Sequence, residues 1–365
     1  MSSRIKIARR KLRFTIRLSG IPDKLNKQGF RVRLLIVLHV LINFYACFTY
    51  FYFLFIKSTP LYYKIYFVVE TQLQITSQEE NNVAEKLSSW FGRIEPSQFE
   101  VYSEKYREIM QMTRSNGILE VRLHTGDGPL KFSWKTHSMW SQAWIDIGRD
   151  PDNEVLILTG TGDRWLDANP EVWKTPFREW TQDDKLKMYH ESFRLLENMV
   201  FGLDIPTIAA INGPGTHCEI GTLCDITLCT EDADLFDPHF LGGTPPGDGM
   251  SLTLQKTIGI KRASYYAYTG KKIDGKTALE LGIVNEVLPR EQLLPRAWEL
   301  AEMMMERPRA TRELTHSILS HPWKRALVDD QGFHLAHQMY NMVIDEDTGF
   351  LERLMKNRER FQANH

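Results

Sequence analysis

His217 and Glu219 stand two residues apart, directly after the run Asn212-Gly213-Pro214-Gly215-Thr216 and a few residues before Asp225. An imidazole beside a carboxylate can take up and return protons near neutral pH. A helix opening at such a run would aim its first N–H groups at a developing anion and would hold the His217 ring neutral and basic. Glu219 reads equally well as an acid/base or as a first-turn acid that complements the helix dipole. Asp225 could orient an imidazole as in a catalytic triad, but eight residues of unbroken helix would place it about 12 Å from His217 along the axis. A direct pair therefore requires that helix to end early. Upstream, Trp134 and His137 share one segment, and six of the nine tryptophans lie between Trp134 and Trp180. That cluster fits either core packing or an apolar wall for a bulky cyclic ligand.

The elements that must position these residues follow from patterning. Leu119, Val121 and Leu123 alternate with Glu120 and Arg122, as in a strand with one buried face, and Gly126-Asp127-Gly128-Pro129 breaks it. A helix over His137 to Gly148, a doubly buried strand from Val155 to Leu158, a helix over Asp183 to Phe201, and strands at Thr207–Ile211, Ile226–Cys229 and Val284–Val287 follow in order. Helices dominate after Leu293. This alternation predicts an α/β fold on a mainly parallel sheet, with the site in the loops at the strand C-termini.

Across 365 residues, 45 basic and 46 acidic side chains nearly cancel, which gives no electrostatic reason to expect a nucleic-acid partner. Four cysteines, three of them between Cys218 and Cys229, suit small buried thiols in a reducing compartment better than a disulfide framework. No metal-ligand spacing and no nucleotide fingerprint is legible, so no cofactor is expected.

The N-terminus differs from the rest. Residues 1–33 carry eleven Lys/Arg, and Leu34 to Ile56 runs 23 residues without a charge, long enough to cross a bilayer with the basic flank inside. The expected organisation is a basic segment (1–33), a possible transmembrane helix (34–56), a linker (57–98), an α/β core (99–300) and a C-terminal helical region (301–365). If residues 34–56 are an anchor, the protein is a single-pass membrane protein. If the product lacks the extension, the catalytic domain is expected in the cytoplasm; against a shorter product, no Met falls between Met1 and Met110.

Several separated motifs carry a family resemblance over residues 99–350. They are Thr159-Gly-Thr-Gly162, Ile205 through Ile226 with its Asn212-Gly-Pro-Gly-Thr-His-Cys-Glu219, Gly243-Thr-Pro-Pro-Gly-Asp-Gly249, and Tyr268 through Val287. Together they resemble the crotonase, or enoyl-CoA hydratase/isomerase, superfamily. The resemblance implies a spiral of ββα turns, a C-terminal helical trimerisation region forming trimers or dimers of trimers, and an enolate held by two backbone N–H groups. It places one donor in the loop Leu166 to Asn169, at Ala168, and the other at Thr216 or its neighbour.

Departures within the resemblance narrow it. Ordinary hydratases use two glutamates; here Glu219 matches the first and His239 stands at the second. The loop that contacts CoA reads Arg164-Trp-Leu-Asp-Ala-Asn-Pro170. With Trp134 and His137, His217-x-Glu219, Pro238-His239-Phe240, Pro246-Gly-Asp-Gly249 and Leu335-Ala-His337, the chain is similar to the β-diketone hydrolase branch that includes 6-oxocamphor hydrolase. Where that branch has Leu-Ala-His-Glu, this chain has Gln338.

The resemblance implies hydrolysis of a carbon–carbon bond in a small cyclic diketone by a retro-Claisen route without CoA. His217 is the expected base, with His137 and His239 positioning ketone oxygens or returning the proton. Plainer readings stand beside these: His217 satisfied by backbone groups, His239 serving a turn, His137 capping its helix. Two other functions compete, an enoyl-CoA hydratase or isomerase using Glu219 with His239, and a non-catalytic membrane-tethered binding protein.

Overall fold

A computed structural model describes residues 96–173, 175–345 and 349–362, and these described residues belong to one compact unit. The basic segment 1–33, the charge-free run 34–56, Cys47 and nearly all of the linker lie outside the described residues. Among the described residues no helix is long and apolar enough to cross a membrane.

The centre is a six-stranded sheet in the order β1 (Met110–Ser115), β2 (Ile118–Leu123), β3 (Val155–Thr159), β4 (Thr207–Ile211), β5 (Ile226–Cys229) and β6 (Glu286–Val287). From β2 onward every pairing is parallel, as the strand–helix alternation requires. β1 and β2 form an antiparallel hairpin instead, which the sequence reading omitted. Its cause is local: Asn116 and Gly117 both adopt positive φ, at 50° and 81°, between the paired residues Ser115 and Ile118. An Asn-Gly pair is the preferred occupant of such a two-residue turn.

Both faces of the sheet are covered. Leu156 and Leu158 on β3, with Ala209 and Ile211 on β4, face the larger core, which includes Trp140, Trp144 and Leu196 from helices Trp134–Gly148 and Gln182–Gly202. Val155 and Ile157, with Ile208 and Ala210, face Leu293, Ala297 and Ala301 of helix Arg290–Met305. Strands buried on both faces read as continuous apolar runs, and each fully buried Leu or Ile here contributes about 1.5–3 kcal/mol. Cys218, Cys224 and Cys229 are free and buried, in keeping with the expected thiols.

Caps fix where the two long site-facing helices start. Ser133 and Thr136 form a reciprocal capping box before helix Trp134–Gly148, and Thr181 and Asp184 form another before helix Gln182–Gly202. Ser133 thus fills the capping role that His137 could have taken. Near the C-terminus, helix Arg309–Ala326 passes through a π-turn at Leu327–Gln331 into helix Gly332–Ile344. That wider turn ends at Gln331, just before the helix that carries the site-facing Gln338.

Candidate active site

The loops after β3 and β4 are locked together before any catalytic group is placed. Asn212 receives the Gly160 N–H at its Oδ1 and donates from Nδ2 to the carbonyls of Gly162 and Arg164 at 2.9 and 3.0 Å. Here the chains approach so closely that a Cβ on Gly213 would lie 1.9 Å from the Asp163 carbonyl oxygen, and one on Gly215 would lie 2.5 Å from the Leu166 nitrogen. Only glycine fits at both positions. The bridges Leu166–Gly215 and Lys131–Asp167 carry the chain onward, setting Ala168 and Asn169 at the rim of a cavity.

The cavity gathers most of the residues singled out by sequence. Trp134, His137, Ala168, Thr216, His217, Glu219, His239 and Gln338 all line it, together with Phe132, Met188, Phe236, Asp248, Met250 and Phe350. Of the tryptophans, Trp140, Trp144 and Trp165 are buried in the core, whereas Trp134 reaches the cavity and meets Trp180 edge-on at 5.2 Å between ring centroids. The cluster therefore divides between both readings.

His217 adopts φ = 54°, uncommon for a non-glycine residue, and this turn delivers its ring into the cavity. The ring stacks on Phe132 at 5.1 Å, and its Nδ1 lies 2.6 Å from Glu219 Oε1. Burial disfavours the charged ring, but the charge and hydrogen bond of Glu219 outweigh it and raise the His217 pKa. Glu219 is itself pushed up, by burial against the opposing pull of His217. The expected helix is only Glu219–Thr222, too short to supply much of a dipole. The ring is thus made more basic by a carboxylate, a correction to the expectation that a helix terminus keeps it neutral.

His239 is held at both nitrogens. Nδ1 lies 2.8 Å from Asp237 Oδ1, and Nε2 lies 3.3 Å from Asp248 Oδ2. Burial opposes its charge, yet Asp248 and Asp237 prevail and raise its pKa to about 9, so the ring is an imidazolium at neutral pH. His137 behaves oppositely: burial, reinforced by His217, lowers its pKa to about 3, and it stays neutral. Its ring centroid is 5.6 Å from that of His217.

Two expected site residues are placed differently. Asp225 is not among the cavity residues; its Oδ2 accepts from the Thr207 N–H and hydroxyl at 2.8 and 3.0 Å and lies 2.7 Å from His316 Nδ1. The helix after His217 does end early, but the carboxylate turns to the far side and ties β4 to helix Arg309–Ala326. Thr216 does line the cavity, but its N–H donates to the Leu166 carbonyl at 3.3 Å. The His217 and Ala168 N–H groups carry no hydrogen bond among the described residues, which leaves the neighbour of Thr216 as the better donor. Gln338 is buried with its Oε1 unpartnered. His337 of the same motif is exposed and packs on Phe333.

Asp237 and Asp248 were missed as individual residues. Asp248 stood inside the quoted Pro246-Gly-Asp-Gly motif, and Asp237 lies two residues before His239. The signal was present in both spacings, but only the fold shows that the two carboxylates converge on one imidazole.

Comparison with known proteins agrees with this fold. Residues 113–362 match the enoyl-CoA hydratase/isomerase family. A hydroxycinnamoyl-CoA hydratase-lyase from Pseudomonas fluorescens is 32% identical over 194 residues, 47% of this chain and 64% of that protein, so the match spans less than two thirds of its length. A carnitinyl-CoA dehydratase from Salmonella paratyphi A is 30% identical over 202 residues, covering 54% of this chain and 75% of that one. Among solved structures, a β-diketone hydrolase from the cyanobacterium Anabaena sp. PCC 7120, bound to (S)-3-oxocyclohexyl acetic acid, superposes with a TM-score of 0.61 at 35% identity, covering 66% of this chain and 96% of that one. An enoyl-CoA hydratase/isomerase from Mycobacterium paratuberculosis superposes with a TM-score of 0.62 at 25% identity, covering 68% and 98%. A mixed α/β sheet of this topology, matched by the family over residues 113–362, makes the protein a member of the enoyl-CoA hydratase/isomerase, or crotonase, superfamily.

Proposed function

We propose that the protein hydrolyses a carbon–carbon bond of a cyclic β-diketone by a retro-Claisen reaction that needs no CoA. The observation that carries this reading is the pairing of His217 with Glu219 across the cavity from a doubly clamped His239. Glu219, the one glutamate of the hydratase pair that this chain retains, is committed to an imidazole. The partner position supplies a cation rather than a second carboxylate.

In this reading His217 takes a proton from water, with Glu219 stabilising the imidazolium formed. The hydroxide oxygen bonds to one carbonyl carbon, giving a tetrahedral adduct. That adduct collapses by breaking its bond to the α-carbon, whose electron pair becomes the enolate of the second carbonyl. The Ala168 and His217 N–H groups are the donors for that oxyanion, and the positive charge of the clamped His239 imidazolium favours it electrostatically. Return of a proton to the α-carbon from His217 completes a keto acid, so one water is consumed and no other reactant is needed. Phe132, Trp134, Met188 and Phe236 form the apolar wall that suits an uncharged ring. His137, neutral and adjacent, is a hydrogen-bonding partner for the substrate carbonyl rather than a base.

Exposed apolar side chains on the C-terminal helices, Leu314, Ile318, Val328, Phe333 and Tyr340, support self-association through that region as a homotrimer. Sedimentation of the full chain at three times the protomer mass is the expected result.

The function is tested by supplying the full chain with a panel of cyclic β-diketones and, separately, crotonyl-CoA, and identifying products by mass spectrometry. A ring-opened keto acid supports the reading. Hydration of crotonyl-CoA with all diketones untouched would return the chain to thioester chemistry.

A further inference from the structure

Gln338 lines the cavity and takes no part in the proposed reaction. It stands on helix Gly332–Ile344 and is only 4% exposed, yet its Oε1 is buried without a hydrogen-bond partner, and no protein acceptor meets its Nε2 among the described residues. A buried carboxamide in that state calls for a partner from outside the chain. The polar side chains around it are committed elsewhere: His217 and Glu219 hold each other, and His239 lies between Asp237 and Asp248. The loop that carries Asp248 fixes the place of Gln338. Gln331, in the π-turn, donates from Nε2 to the Gly247 carbonyl at 3.0 Å and holds the start of the helix against that loop. A Cβ on Gly247 would lie 2.5 Å from Gln338 Oε1 and 2.6 Å from its Cβ, so glycine there lets the carboxamide lie against the backbone beside Asp248.

The identity of the missing partner rests on the hydrolase reading, in which the Ala168 and His217 N–H groups meet one diketone oxygen and His137 meets the other. Gln338 is left for a third polar atom of the substrate. That atom is uncharged, because Glu219 and Asp248 already bring carboxylates to the cavity and no Lys or Arg is among the residues lining it. A hydroxyl fits best. It accepts from an amide nitrogen and donates to an amide oxygen, so it pairs with either end of the carboxamide. We infer that the cavity takes a cyclic β-diketone bearing a ring hydroxyl, and that Gln338 is the residue that selects it.

The full chain is given a cyclic β-diketone dimethylated at the carbon between its carbonyls and, separately, the same ring with one hydroxyl at each remaining carbon in turn. For the best hydroxylated isomer kcat/KM should exceed that of the plain ring by about 10–100-fold, mostly through KM. Gln338→Leu should bring the two substrates to within about threefold of each other. Gln338→Met keeps the length of the side chain and covers the case in which the Leu variant packs poorly. A second assay separates this inference from the hydrolase reading. Cyclic monoketones with and without the hydroxyl are titrated into the unaltered chain and both variants by calorimetry; a lone carbonyl offers no second carbonyl to hold an enolate, so binding is read without cleavage. Tighter binding of the hydroxylated monoketone, lost in the variants, supports the Gln338 contact even if no diketone is cleaved. No hydroxyl preference in either assay, or a preference that both variants retain, would overturn it.

Discussion

Two histidine–carboxylate pairs in this protein have nearly the same geometry and opposite fates. His316 and Asp225 lie 2.7 Å apart, as His217 and Glu219 lie 2.6 Å apart. In the first pair the other ring nitrogen of His316 meets the Leu203 carbonyl at 3.0 Å, and Asp225 also accepts two bonds from Thr207. Every partner there is internal, so the pair fastens helix Arg309–Ala326 to the ends of β4 and β5. In the second pair Nε2 of His217 has no partner among the described residues, and the ring lines a cavity. A histidine–carboxylate pair can do chemistry where one ring nitrogen is left for something outside the protein.

Breaking each pair should separate the two roles. The largest effect is expected for His217→Ala, which removes the proposed base and should lower kcat for the proposed diketone cleavage by about 10²–10⁴-fold with the melting temperature little changed, measured by product formation and calorimetry. Glu219→Gln retains shape but loses the charge behind the imidazole. It should cost about 10²-fold in kcat and lower the pH at which activity rises.

The contrasting substitution is Asp225→Asn. It should leave kcat within about twofold while destabilising the fold by about 1.5–3 kcal/mol, the worth of a hydrogen bond to a charged group, as read from denaturant unfolding. A large loss of kcat in the folded variant would put Asp225 back into the chemistry.

The pH profile sharpens the comparison. The proposed reaction requires His217 neutral and His239 charged. It should rise as pH climbs through a value above the ordinary histidine range and fall again near 9, where His239 loses its proton. His239 also contributes stability: its folded pKa is raised, so that contribution is complete below about 6.5 and is lost as pH passes about 9. His137 acts in the acid range, since its depressed pKa of about 3 means stability falls as pH drops below about 6.5. Asp237→Asn should move the alkaline limb of the activity profile to lower pH. The smallest effect is expected for Trp134→Ala, which opens the apolar wall and should raise KM several-fold with kcat nearly kept, measured with a bulky diketone.

Much of this architecture was legible in the chain. The strands Thr207–Ile211 and Ile226–Cys229 agree residue for residue, because short, largely apolar runs bounded by turn residues admit few other structures. The β1 hairpin was missed although Asn116-Gly117 announces it, because Met110 to Ser115 lacks an apolar alternation strong enough to draw notice. At the site, local motifs brought His217, Glu219 and His239 into view. Position along the chain says nothing of which way a side chain turns, so Asp225 was drawn into the site and Asp237 and Asp248 were left out. Those assignments depend on contacts between segments far apart in sequence, such as Asp225 with His316.

The most direct measurement is the fate of the water oxygen. The full chain is given a cyclic β-diketone in ¹⁸O-labelled water, and the product is weighed by mass spectrometry, for the unaltered protein and for His217→Ala. A ring-opened keto acid carrying one ¹⁸O in its new carboxylate is expected, with loss of that product in the variant. A keto acid formed equally well by His217→Ala, or no ring opening by the unaltered protein, would contradict it.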